Sequence, residues 1–151
     1  MSYISKIREK VGHDPIISVG ATVLVFNNKN ELLLNLRSDT NTWGIPGGGK
    51  EINETLEECA IRELKEETNL DISDLKLVTV LSGKEYYFKY PNDDEVDCVI
   101  TLYQVNNYNG DLKINDGESK VLKFFSLNDL PLLESRAKAI IDKIKDGIIK
   151  L

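Results

Sequence analysis

The sequence predicts an α/β fold, an α/β/α sandwich built on a mixed β-sheet. Three observations point to it. Apolar stretches with strand-like alternation recur along the chain, an amphipathic helix follows the second of them, and another follows the last. With 151 residues, 41% of them hydrophobic and 29% charged, the chain is expected to form one domain over residues 1–151 around an ordinary core.

Residues 16–26 alternate enough to be a strand, and Asn27-Asn28-Lys29-Asn30 is a turn leading to a second strand at 31–37. A loop at 38–49 then delivers the chain to a helix. Thr55-Leu56-Glu57-Glu58 has the capping-box pattern, which starts that helix at Thr55. Asn69 stands where a left-handed residue ends it, and Leu70 is expected to fold back onto Leu64. Residues 75–90 and 95–105 read as two long strands joined at Pro91-Asn92-Asp93-Asp94. A further strand at 121–125 precedes a final helix at about 133–145, ended by Gly147. The segment before residue 16 receives no element, and His13 is expected on its surface.

The helix that opens at Thr55 carries the chemistry. At about 100° per residue, Leu56, Cys59, Ala60, Glu63, Leu64, Glu66 and Glu67 share one side. Glu57, Glu58, Ile61, Arg62, Lys65 and Thr68 take the other. The apolar stripe therefore turns acidic one turn from its end. Carboxylates crowded on a semi-buried surface repel one another and are costly to desolvate, so they call for a cation. Just before the helix runs Gly47-Gly48-Gly49-Lys50-Glu51-Ile52-Asn53-Glu54, a glycine-rich turn ending in another acid. A hard, oxygen-loving cation beside such a turn suggests hydrolysis of a phosphoanhydride.

Residues 48–70 resemble the Nudix box: Gly48, five residues, Glu54, seven residues, Arg62-Glu63-Leu64, one residue, Glu66-Glu67. Asn69 replaces the glycine usual near its end, a change the left-handed backbone tolerates. Trp43-Gly44-Ile45-Pro46 resembles the usual lead-in, and the order of strands and helices agrees over nearly the whole chain. The resemblance implies a Nudix-like sandwich and magnesium, with manganese as its substitute. It implies Glu63, Glu66 and Glu67 as metal ligands, completed by the carbonyl of Gly48, with one glutamate, more commonly Glu63, as the alternative base. It also implies that Arg62 and Glu54 pair to orient the acidic turn.

The resemblance places other candidates outside the box. Glu118, in Asn115-Asp116-Gly117-Glu118-Ser119, lies where such proteins often carry another acid near the metals; an ordinary loop acid is the competing role. Arg37 and Trp43 could contact phosphate and base, with core packing the alternative for Trp43. Tyr86 and Tyr87 lie where relatives acting on dinucleoside polyphosphates carry tyrosine, although strands favour tyrosine anyway. Substrate choice is expected from the loops at 38–42, 82–97 and 110–120.

Composition narrows the classes. A net charge of −6 disfavours a broad nucleic-acid surface, leaving an RNA 5′ end as the nucleic-acid partner to consider. The apolar runs are too short to span a bilayer and the first residues lack a signal-peptide core, so a cytoplasmic protein is expected. Two cysteines and one histidine offer no zinc spacing. The expected activity is cleavage of a nucleoside diphosphate linked to another moiety: a nucleoside triphosphate, ADP-ribose, a sugar nucleotide or a dinucleoside polyphosphate. The alternatives are an RNA 5′-pyrophosphohydrolase and a non-catalytic nucleotide-binding sensor. The edge strands leave a homodimer open.

Overall fold

The computed structural model describes residues 1–151. Its elements run α1 (Tyr3–Val11), β1 (Ile16–Val25), β2 (Leu32–Arg37), β3 (Trp43–Gly44), β4 (Gly47–Gly49), α2 (Leu56–Thr68), β5 (Lys76–Leu81), β6 (Tyr87–Lys89), β7 (Glu95–Val105), β8 (Ser119–Phe125) and α3 (Ser135–Lys145). One sheet is mixed. β7 pairs with β1 in parallel along its whole length, from Ile16 opposite Val96 to Val25 opposite Val105, and with β5 and β6 antiparallel. β4 closes the other side of β1. The second sheet, in the order β3-β2-β8, is antiparallel.

The period-two rule of strands sorts the core into two layers. Val23 and Val25 of β1, Leu33 of β2 and Tyr103 and Val105 of β7 pack with Cys59, Ala60 and Leu64 of α2. The alternate positions Leu24, Leu32, Leu34, Ile100 and Leu102 pack with Ile140 and Ile141 of α3. Helices thus cover both faces of the sheet, as the sandwich reading requires. No helix is long and apolar enough to cross a membrane.

Both ends of α2 form as their residues dictate. The Thr55 hydroxyl accepts from the Glu58 N–H at 3.0 Å, and the Glu58 carboxylate accepts from the Thr55 N–H at 3.1 Å. Asn69 is left-handed at φ 69°, and Leu70 joins Leu64 in one buried cluster. Thr68 departs from its assignment to the wet side and is fully buried. Its hydroxyl donates to the Leu64 carbonyl at 2.6 Å and accepts from the Leu70 N–H at 3.2 Å, which lets a polar side chain enter the core as the chain turns.

Three expectations are corrected. Residues 75–90 are not one strand: Gly83, at φ 103°, turns the chain into a 3₁₀ turn at Lys84–Tyr86, and only Tyr87–Lys89 rejoins the sheet. The segment at 38–49 is not all loop, because β3 and β4 form within it. The residues before β1 are not without structure: Ser2 caps α1 by accepting from the Ser5 N–H at 3.1 Å, and Gly12 ends it.

Replacing Thr55 with alanine removes the cap acceptor and should cost about 1 kcal/mol of stability. Urea unfolding of the two proteins at one pH checks this; equal midpoints would contradict the capping account.

Candidate active site

The acidic turn of α2 faces β4 across the floor of a cleft of roughly 830 Å³. Arg62 is the hub of the floor. Its Nε and Nη2 donate to the two oxygens of Glu54 at 2.6 and 3.0 Å, and Nη2 also reaches the Gly49 carbonyl at 2.9 Å. Nη1 donates to Glu63 at 2.9 Å and to Glu66 at 3.3 Å. All five N–H groups of the guanidinium thus have an acceptor. Glu54 takes one more bond, from the Glu51 N–H at 3.0 Å. The pair of Glu54 and Arg62 expected from the sequence is present, and it bolts α2 to the glycine turn.

The three carboxylates of the turn differ in burial. Glu66 is half exposed. Glu63 is mostly buried, and its carboxyl lies so close to Gly48 that any side chain there would collide with it. A side chain at position 48 would have to push the Glu63 carboxyl out of its place, so glycine leaves that acid its room. Glu67 is only 6% exposed and accepts from the Gly47 N–H at 3.0 Å. The Gly48 carbonyl is approached by the Cys59 thiol at 3.5 Å.

Glu67 is joined from across the cleft by Asp116 and Glu118, and one oxygen from each of the three lies within 4.8 Å of the others. Glu118 was expected here; Asp116 was missed. The signal was available, since an acid two residues before Glu118 across a glycine folds back on it. Asp116 accepts from the Glu118 N–H at 3.1 Å around Gly117, at φ 72°. The donor set is entirely oxygen, which fits a hard divalent ion and gives no reason to favour zinc.

The other sequence candidates divide. Arg37 lines the cleft but is engaged by Asp39 through two bonds of 3.0 and 2.7 Å. Trp43 is not brought to the cleft; it packs edge-on against Phe125 at 4.8 Å. Tyr87 is not brought there either; its hydroxyl donates to Glu95 at 2.8 Å on an exposed strand. Tyr86 is buried, accepting from Lys143 Nζ at 3.0 Å. Tyr90, not singled out from the sequence, does line the cleft. The three loops expected to set substrate choice all reach it, through Ser38, Tyr90 and Glu118.

The electrostatics follow the geometry. Arg62 holds Glu54 down at about 2. Burial pushes Glu63 up to about 7, with Glu66 and Glu118 adding repulsion and Arg62 opposing it. Burial raises Glu67 well above the carboxylate range, reinforced by Glu63 and by Asp116 and Glu118, against the single Gly47 N–H. Glu118 is raised by burial and by Asp116.

These shifts give two limbs to a pH–stability profile. The Glu54 contribution is full above its ordinary value of 4.5 and drains as pH falls towards 2. Glu63 runs the other way: the folded chain holds that proton more tightly, so stability is full below 4.5 and is lost as pH rises through 7. Chelator-treated protein should therefore be most stable near pH 4.5–5 and lose on the order of 2 kcal/mol by pH 7.5. Urea titrations across that range test it, and a flat profile from 4.5 to 7.5 would contradict it.

Comparison with known proteins agrees with this geometry. Residues 17–145 match the sequence model of the NUDIX domain. The chain is 33% identical over 112 residues to an ADP-ribose pyrophosphatase of Methanocaldococcus jannaschii, covering 72% of this chain and 62% of that protein. It is 31% identical over 130 residues to a Bacillus subtilis protein provisionally named as an 8-oxo-dGTP diphosphatase, covering 85% and 80%. Among solved structures, the MutT NUDIX hydrolase of Burkholderia pseudomallei superposes with a TM-score of 0.71 at 22% identity, over 85% of this chain and 98% of that one. The NUDIX domain of Shewanella oneidensis NrtR, crystallised with ADP ribose, gives 0.67 at 18% identity over 98% and 99%. The two structures show the shared fold, and the sequence match decides the family. With its glycine turn, its Glu54–Arg62 bolt and its buried acidic turn, the chain belongs to the NUDIX domain family.

Proposed function

We propose that this chain is a divalent-metal-dependent hydrolase that cleaves the pyrophosphate link of a nucleoside diphosphate joined to a second moiety. The observation that supports it most is the meeting of Glu67, Asp116 and Glu118 on the floor of a cleft, beside Glu63 and the Arg62 hub. These three carboxylates would hold the ion, magnesium by preference and manganese as its substitute, bordered by Glu63, Glu66 and the Gly48 carbonyl. Bound there, the ion would neutralise phosphate oxygens and acidify water.

The remaining work falls to the chain itself. Glu63, raised to about 7 and held through one oxygen by Arg62, is suited to take the proton of the attacking water. The water oxygen bonds to phosphorus, the bridging P–O bond breaks, and the proton passes to Glu63. Arg62 keeps Glu63 and Glu66 in place and is itself fixed by Glu54. The nucleoside is assigned to the other end of the cleft. There Arg37 and Tyr90 also line a smaller cavity of roughly 140 Å³, bounded by Glu134 and Arg136. The relatives' names suggest ADP-ribose and an oxidised purine triphosphate as first substrates to try. A reaction on free nucleotides also suits a cytoplasmic enzyme.

Two measurements test the proposal. Against a panel of nucleoside triphosphates, ADP-ribose, sugar nucleotides and dinucleoside polyphosphates, Glu67→Gln should lower turnover by about a thousandfold or more while the fold survives. Normal turnover in that variant would misplace the metal site. Because only the folded chain gathers the acids, millimolar magnesium should raise the melting temperature by several degrees, roughly 1–3 kcal/mol of linkage. An unchanged melting curve would count against the site.

A further inference from the structure

The cavity of roughly 140 Å³ shares Arg37, Tyr90 and Val96 with the cleft, so it opens off the space that holds the acids. Sites that enclose a whole small molecule run to about 300–1,000 Å³, so this one takes a single end of a ligand. Its walls include Ile45, Ile100, Ala137 and Ile140, apolar surface against which a planar ring can lie. Among them stand a carboxylate and a guanidinium, Glu134 and Arg136, at the start of α3.

Both side chains are buried, at 6% and 14% exposure, and both are nearly fully engaged. Glu134 Oε1 accepts from the Ser135 hydroxyl at 3.2 Å, the Arg136 N–H at 3.0 Å and Arg136 Nε at 2.9 Å. Its Oε2 accepts nothing from the chain. The Arg136 guanidinium lies 4.1 Å from the centroid of the Phe88 ring, and Nη1 donates to Cys98 Sγ at 3.4 Å. Its Nη2 has no partner in the chain. Neighbours thus hold the pair still while one acceptor, Oε2, and one donor, Nη2, stay unused. Capping α3 needs only Oε1, and a buried ion pair is costly to desolvate.

We propose that Glu134 and Arg136 read the edge of the substrate's base, Oε2 accepting from a base N–H and Nη2 donating to the acceptor beside it. The inference rests on the hydrolase reading above and deepens it by naming the residues that select the base. Two purine edges carry that pattern: the N1–H and O6 of guanine, and the N6 amino group and N1 of adenine. An unsubstituted purine riboside has no N–H on its base and leaves Oε2 unpaired, a loss that a buried polar site penalises strongly.

The test is the Kd, in magnesium, of GDP, ADP and the diphosphate of unsubstituted purine riboside, since every substrate considered above contains a nucleoside diphosphate. Wild type should bind GDP or ADP about thirtyfold more tightly than the unsubstituted purine. Which of the two leads tells the guanine edge from the adenine edge. Glu134→Gln keeps an oxygen for the three bonds at Oε1 and puts an N–H donor where Oε2 stood. It should shrink the preference about tenfold while the unsubstituted purine binds as before. Equal binding of all three by wild type, binding of none, or an unchanged preference in folded Glu134→Gln would overturn the base reading. The wild-type comparison decides by itself if the variant does not fold. Discrimination without cleavage of any nucleotide in the panel above would sink the hydrolase reading alone. Cleavage without discrimination would sink the base reading alone.

Discussion

The placement of Glu67 is the constraint on which the site turns. A carboxylate 6% exposed, with one backbone N–H as partner and Glu63, Asp116 and Glu118 around it, is unfavourable as an isolated anion. Folding accepts that cost because the glycine turn, the capped helix and the loop after β7 are each held by contacts of their own. The two-layer core fixes α2 against the sheet, and Arg62 ties the helix to the turn with all its donors engaged. The acids are brought together by the core behind α2 and by bonds of their own, from Arg62 to Glu63 and from the Gly47 N–H to Glu67. Such an arrangement favours an ion with oxygen preferences.

The helix and its acids were legible because their signals are local. A capping box, a left-handed Asn69 and an apolar stripe that becomes Glu63 and Glu67 can all be read at helical spacing. β1 and β7 were legible for the same reason, as long uninterrupted alternations. The misses share one cause, which is tertiary context deciding between two local outcomes. β3 and β4 are short strands that exist because β2 and β1 are there to pair with them. Gly83 breaks what periodicity alone reads as continuous. Thr68 enters the core only because its hydroxyl closes the end of α2.

The side chains outside the box were less legible still. Glu118 could be anticipated, whereas Asp116 depends on a turn around Gly117 that folds one acid back on the next. Trp43 and Tyr87 are the right residue types in the right stretch of chain, but Trp43 packs against Phe125 and Tyr87 faces an exposed strand. Tyr90, three residues further along, reaches the cleft instead. Helix α1 was missed although Ile4, Ile7 and Val11 recur at helical spacing; it is short, and none of its residues is fully buried. Its position is set by carbonyls and carboxylates that belong to distant segments.

If Glu67, Asp116 and Glu118 hold the proposed ion, metal binding and protonation compete for the same buried carboxylates. Calorimetric titration of magnesium into chelator-stripped protein at pH 6.5, in buffers of different ionisation enthalpy, measures this directly by counting protons released per ion. Saturable binding with release of about one proton from the raised acids is expected. Binding without proton release, or no binding at all, would contradict it.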